Sequence, residues 1–327
     1  MSDAESAVPT PEQFVDDVLG DDWVARTIEL APDDEGQPVA TLVHRREAGN
    51  GEHPRAVLYL HGFVDYFFQV EHAALWRDHG YDFYALDLRK YGRSMRPGQS
   101  PNWVTDLRTY DEDIDAALKI IREEHGHQKV VLLGHSTGGL IAPLYVSDHP
   151  GGVIALVLNS PWFDLNSNWF NRVIATRVID LVGGFVPHVR VGQLGDAYGR
   201  SLHTSTGGQW NYDLAWKPLA GFPVHAGWLR AIRRGHARVR RGLHIGVPVL
   251  VCTSSRSGHP VHPTPNELMS TDCVLNVEHM TSLAPRLGND VTVRRIPGGR
   301  HDLALSDQPA RAEYEHVVFD WLSRRLP

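Results

Sequence analysis

The run Gly134-His135-Ser136-Thr137-Gly138-Gly139 is the stretch of this chain best suited to nucleophilic chemistry. It follows the apolar segment Val130-Val131-Leu132-Leu133 and precedes Leu140-Ile141-Ala142-Pro143-Leu144-Tyr145-Val146. Gly-x-Ser-x-Gly between a strand and a helix describes a sharp turn that pushes the serine hydroxyl clear of the backbone. Strand and helix crowd each other at such a turn, and glycine at 134 and 138 meets that need. The bare motif is common by chance and then marks an ordinary Gly-rich turn. Its place between strand and helix makes it specific.

A serine hydroxyl is a poor nucleophile until a base takes its proton. In this arrangement the partners follow in chain order, acid and then histidine, each at a later strand end. Nineteen histidines are present, so position decides among them. His301 lies in Pro297-Gly298-Gly299-Arg300-His301-Asp302, just after the last predicted strand. Imidazole titrates near neutrality, which suits proton shuttling. The acid should lie between the strand 248–255 and His301, where Glu267, Asp272, Glu278 and Asp290 are available. Glu278 falls inside a predicted helix, and Asp290 sits at the wrong end of the last strand. Asp302 would have to fold back on its own neighbour. Asp272, in Ser270-Thr271-Asp272-Cys273, is the preferred acid; its alternative role is that of a helix N-cap. Gly62 in His61-Gly62-Phe63 allows backbone amides to face a developing oxyanion, with Phe63 and Thr137 as the donors. His61 and His135 are read as braces for their loops.

These side chains need a scaffold that brings distant strand ends to one rim. Residues 24–30 and 39–44 read as a hairpin around Asp33-Asp34-Glu35-Gly36. Short apolar runs then alternate with helical patterns. Strands are predicted at 55–62, 81–88, 129–136, 154–160, 248–254 and 291–296. Helices are predicted at 68–79, 105–125, 138–148, 274–286 and 309–326. Such alternation implies a parallel sheet covered on both faces. It breaks over residues 162–245, which are rich in aromatics. There Phe170, Val173, Ile174, Val178, Leu181 and Val182 recur at helical spacing, as a packed helix or the wall of an acyl pocket would require. The basic run Arg230-Ala-Ile-Arg-Arg-Gly-His-Ala-Arg-Val-Arg-Arg241 is read first as a solvated face. A site for an anionic headgroup, or transient contact with an acidic membrane surface, is the other reading.

Together, His61-Gly62-Phe63, Gly134 to Gly139, Asp272 and Gly298-Gly299-Arg300-His301-Asp302-Leu303 resemble the α/β-hydrolase superfamily. More narrowly, the chain looks like the monoacylglycerol lipase and lysophospholipase branch, with Asp87-Leu-Arg-Lys-Tyr-Gly-Arg-Ser94 similar to that branch's segment after its fourth strand. Where the branch often carries Gly-Glu-His after the His-Gly pair, this chain has Val64-Asp65-Tyr66. The resemblance implies a mostly parallel eight-stranded sheet with helices on both faces and a helical lid. Residues 1–23 would be a flexible lead-in, 24–161 and 246–327 the core, and 162–245 the lid. It also implies a serine hydrolase acting on a small-molecule acyl ester through an acyl-enzyme, without metal or organic cofactor. An aminopeptidase with the same triad, and a non-catalytic ligand-binding member of the fold, are the alternatives. Aspartate at the elbow would be needed for a dehalogenase or epoxide hydrolase, and Ser136 argues against both.

Composition sets the outer limits. The chain has 327 residues, of which 42% are hydrophobic, enough for a large core without staples. A net charge of −7 argues against a nucleic-acid binder. Two cysteines, Cys252 and Cys273, make no disulfide framework and lack metal-site spacing. The acidic, polar start of the chain does not read as a secretory signal, and no run is long enough to span a bilayer. The expectation is a cytoplasmic protein.

Overall fold

The computed structural model describes residues 14–166 and 183–326. The apolar positions Phe170 to Val182 therefore lie outside the described residues.

One sheet organises the chain. In chain order its strands are β1 (Val15–Asp17), β2 (Gly20–Glu29), β3 (Val39–Arg45), β4 (Arg55–Leu60), β5 (Tyr81–Asp87), β6 (Val130–His135) and β7 (Ala155–Asn159). After β8 (Arg190–Gln193) and β9 (Pro223–His225), which form a separate two-stranded sheet, come β10 (Val249–Ser254) and β11 (Val291–Ile296). The nine strands of the main sheet run in the order β1-β2-β3-β5-β4-β6-β7-β10-β11. From β5 to β11 every neighbouring pair is parallel, while β1, β2 and β3 join antiparallel.

Two expectations need correcting here. The sheet has nine strands rather than eight, because β1 pairs with β2 at the edge. The segment 1–23 is thus not wholly a lead-in. A three-residue polar edge strand carries no apolar period to betray it. It is fastened instead by Arg93, whose guanidinium donates to both Asp17 carboxylate oxygens at 2.6 and 2.8 Å.

The central strands β6 and β7 are buried along their whole length, and β4 is buried beyond Arg55, which explains their apolar runs. Their side chains alternate between two cores. Ala56, Leu58 and Leu60 of β4 face one side and Val57 and Tyr59 the other. Helices α2 (Thr109–Lys119), α3 (Gly138–Asp148) and α5 (Ala226–Arg241) cover the first face through Tyr110, Ile114, Leu140, Ile141, Trp228 and Ile232. Helices α1 (Val70–Asp78) and α8 (Ala310–Arg325) cover the second through Trp76, Tyr314, Val318 and Leu322. Helix α2 is shorter than the 105–125 expected. Beyond Lys119 the chain widens into a turn in which the His125 amide donates to the Ile120 carbonyl at 3.1 Å.

Between β7 and β10 the described chain holds β8, α4 (Ala197–Leu202), β9 and α5. The basic run lies on α5. Its inner face, with Trp228, Leu229, Ile232, His236 and Val239, is buried. Of the outward arginines, Arg238 pairs with Asp148 and Arg240 with Asp164. Among the described residues no helix is long and apolar enough to cross a membrane.

Candidate active site

The C-terminal ends of β4, β6, β10 and β11 meet at one rim. At the end of β6, Ser136 has φ of +51°, the left-handed region that non-glycine residues rarely occupy. The crowding inferred from the glycines is real. A Cβ on Gly134 would sit 2.5 Å from the Gly138 carbonyl oxygen, and one on Gly138 would sit 2.3 Å from that of Leu60. The turn is held by the Ser136 amide donating to the Asn159 carbonyl at 3.0 Å.

His301 follows β11. Its Nε2 lies 3.0 Å from Ser136 Oγ and its Nδ1 2.9 Å from Asp272 Oδ2. Asp272 is fully buried. Its other oxygen, Oδ1, accepts from the amides of Val274 (2.9 Å) and Leu275 (2.7 Å). The long loop after β10 brings it there by folding back on itself. Gly258 N donates to Asp272 O at 2.8 Å, and Asp272 N to Arg256 O at 3.1 Å. The intervening excursion carries α6 (Pro265–Ser270), closed by a reciprocal cap between Thr264 and Glu267. A further helix, α7 (Val277–Leu283), follows. Nδ1–H facing a carboxylate leaves Nε2 free to take the serine proton, so this arrangement can generate an alkoxide-like nucleophile.

Phe63 and Thr137 both line the cavity onto which Ser136 opens. Neither amide has a protein acceptor among the described residues. A Cβ on Gly62 would lie 3.2 Å from Ser136 Cβ, so glycine is what lets the loop approach this closely. His61 accepts from Leu88 N at 3.1 Å and donates to Gly62 O at 2.8 Å. Burial lowers its pKa, so it stays neutral and braces the loop. His135 bonds to Asn159 O at 3.1 Å, and burial lowers its pKa as well.

Sequence reasoning missed the brace behind these groups. Asn159, at the end of β7, donates to Asp302 Oδ1 at 2.7 Å and accepts from Leu303 N at 3.2 Å. Through its carbonyl it also holds the elbow, so one residue fixes both the nucleophile turn and the histidine loop. Asp302 is the acid set aside as too close to His301; it points into this brace and not at the His301 ring. Burial pushes its pKa up, but His135, Lys217 and the Asn159 hydrogen bond outweigh that and hold it below the usual range. Tyr198, from α4, accepts from the Asp302 amide at 2.9 Å and sets its ring edge-on to His301. A single asparagine ending an apolar strand carries no motif that would have singled it out.

Ser136 and His301 open onto a cavity of about 260 Å³. Its wall is mostly apolar, with Phe63, Trp162, Val224, Trp228 and Leu275. Phe63 stacks on Trp228 at 4.1 Å. No group of metal-ligating side chains occurs among the described residues.

Strand order, parallel core and the position of the elbow make the chain an α/β hydrolase by fold. Within that class it belongs to the family described as serine aminopeptidase S33 (Hydrolase_4), whose family model matches residues 51–308. A monoacylglycerol lipase of Mycolicibacterium smegmatis is 31% identical over 143 residues, 43% of this chain and 49% of that protein. Epoxide hydrolase 4 of mouse is 34% identical over 106 residues, 32% of this chain and 28% of that protein. The matches thus span half or less of these curated relatives. Among solved structures, a soluble variant of the Saccharomyces cerevisiae monoglyceride lipase superposes with a TM-score of 0.69 at 16% identity, over 91% of this chain and 94% of that one. A thermostable carboxyl esterase from Bacillus coagulans gives 0.65 at 16% identity, over 93% and 99%. These two likenesses are of fold.

Proposed function

We propose that this protein is a serine hydrolase that cleaves a carboxylic ester, a monoacylglycerol, lysophospholipid or similar acyl ester, through a covalent acyl-enzyme. Ser136 Oγ attacks the ester carbonyl carbon while His301 Nε2 takes its proton. The amides of Phe63 and Thr137 receive the oxyanion, each worth roughly 3 kcal/mol in the transition state. His301 returns the proton to the departing alkoxide. Water then attacks the acyl-enzyme with His301 again as base, and the acid and Ser136 are released. Asp272 keeps the imidazole in the right tautomer and stabilises its cation.

The observation that carries this reading is the hydrogen-bonded chain Ser136–His301–Asp272 opening onto an apolar cavity. The lipase and esterase names among the relatives agree with it. Residues 162–245 act as the lid in this reading, since Trp162, Tyr198, Lys217 and Trp228 contribute to the cavity wall. The test is labelling by a fluorophosphonate probe together with hydrolysis of p-nitrophenyl esters of rising acyl length. Native protein should label and turn over, and Ser136→Ala should do neither. Unchanged labelling of Ser136→Ala, or none of the native protein, rejects the reading. The family description supplies a second reading, hydrolysis of an aminoacyl amide, and aminoacyl-naphthylamides belong in the same panel.

A further inference from the structure

Beside the nucleophile the cavity wall holds an ion pair that the triad does not use. Asp65, 3% exposed, lies just past the Phe63 loop, and its Oδ2 accepts from the Gly62 amide at 3.3 Å. Its Oδ1 is paired with Lys217 Nζ, which arrives from a part of the chain 152 residues away. The ammonium also lies 5.1 Å from the Phe68 ring centroid and 5.4 Å from that of Tyr212. Both Asp65 and Lys217 line the same cavity as Ser136 and His301. A buried carboxylate with aromatic rings around it is the chemistry that recognises an ammonium group. Here the chain fills that place with its own side chain.

We propose that Lys217 is a specificity-determining residue, whose ammonium occupies a cation subsite in the cavity of Ser136 and so excludes substrates whose acyl chain carries an ammonium group. The proposal deepens the ester-hydrolase reading and rests on it. A substrate amine entering this cavity needs a carboxylate to replace the water it leaves. Among the described residues the wall offers Asp65 and Asp196. Asp196 is exposed, where water screens its charge, and Asp65 is already paired. An uncharged acyl ester meets neither difficulty. Removing Lys217 leaves Asp65 buried without a countercharge, the condition in which a charged group most strongly favours a new cation. The subsite would then pass from the chain to the substrate.

The experiment compares native protein, Lys217→Met, Lys217→Arg and the double variant Asp65→Asn/Lys217→Met. The probes are p-nitrophenyl hexanoate and p-nitrophenyl 6-aminohexanoate, which differ by a terminal ammonium. The reading is the ratio of kcat/KM for the cationic ester to that for the neutral one. Native protein and Lys217→Arg should prefer the neutral ester. In Lys217→Met the ratio should rise about tenfold or more, as the gain of a desolvated charge pair implies. Adding Asp65→Asn should return it to the native ratio. A ratio unmoved by Lys217→Met, or a rise that survives Asp65→Asn, overturns the proposal. Calorimetric titration with hexylammonium and with 1-hexanol reads the subsite without turnover. Ammonium binding gained in Lys217→Met alone, in a protein that hydrolyses no ester, would sink the ester reading and leave the subsite standing. Ester turnover without such a gain would do the reverse.

Discussion

Replacing Asp272 by asparagine tests the relay at the residue whose two oxygens have different duties. Oδ1 accepts from two backbone amides, Val274 at 2.9 Å and Leu275 at 2.7 Å, while Oδ2 faces His301 Nδ1 at 2.9 Å. An asparagine must keep its carbonyl oxygen on the two amides. The opposite rotamer would aim an NH2 group at two N–H donors in a fully buried position, at about 1–3 kcal/mol for each amide left without an acceptor. The carboxamide nitrogen therefore faces His301 and donates to Nδ1. That places the imidazole proton on Nε2, the atom that must receive the Ser136 proton. The fold survives and the base is disabled. The expected loss in kcat is about 10⁴-fold, by comparison with the same exchange in other serine triads, or about 5 kcal/mol of barrier. The assay is p-nitrophenyl ester turnover at saturation, with denaturant unfolding alongside to show native stability. Asp272→Ala, which orphans both amides, should lose activity and a few kcal/mol of stability together. A kcat for Asp272→Asn within about tenfold of native would refute the tautomer argument. The acid would then have to be sought elsewhere, Asp302 first.

Other perturbations address the scaffold. Gly138→Ala would drive a methyl into the Leu60 and His61 carbonyl oxygens, 2.3 and 2.6 Å from the new Cβ. Because both obstacles are backbone, the cost should reach the upper end for overpacking, about 3 kcal/mol in urea unfolding, with activity lost as the elbow shifts. Stability should also fall in mild acid. Burial lowers the His44 pKa from 6.5 to about 4 and that of His236 to about 3. Both are neutral in the fold, so the unfolded chain binds protons that the native one refuses. Their contribution is complete above pH 6.5 and is lost as the pH falls toward 4, with about 3 kcal/mol at stake for His44. Melting temperatures between pH 7.5 and 4.5 should show this slope, and His44→Gln should flatten it; an identical slope in the variant would move the cause elsewhere.

What the sequence determined by itself was local or periodic. The elbow could be read because strand, turn glycines, serine and helix are contiguous, and their crowding is a property of adjacent backbone. The central strands could be read because burial on both faces demands unbroken apolar runs. The His301 loop followed from the position of the last strand. Asp272 was reachable by elimination among a few carboxylates. What only the tertiary structure decided were pairings between segments with no common pattern. Asn159 meets Asp302 across 143 positions, and Asp65 meets Lys217 across 152. Edge strand β1 depends on Arg93, 76 positions from Asp17. A lone polar side chain in an apolar stretch carries no period, and the free energy that fixes its partner, desolvation weighed against a hydrogen bond or an ion pair, exists only once the sheet has brought the two together.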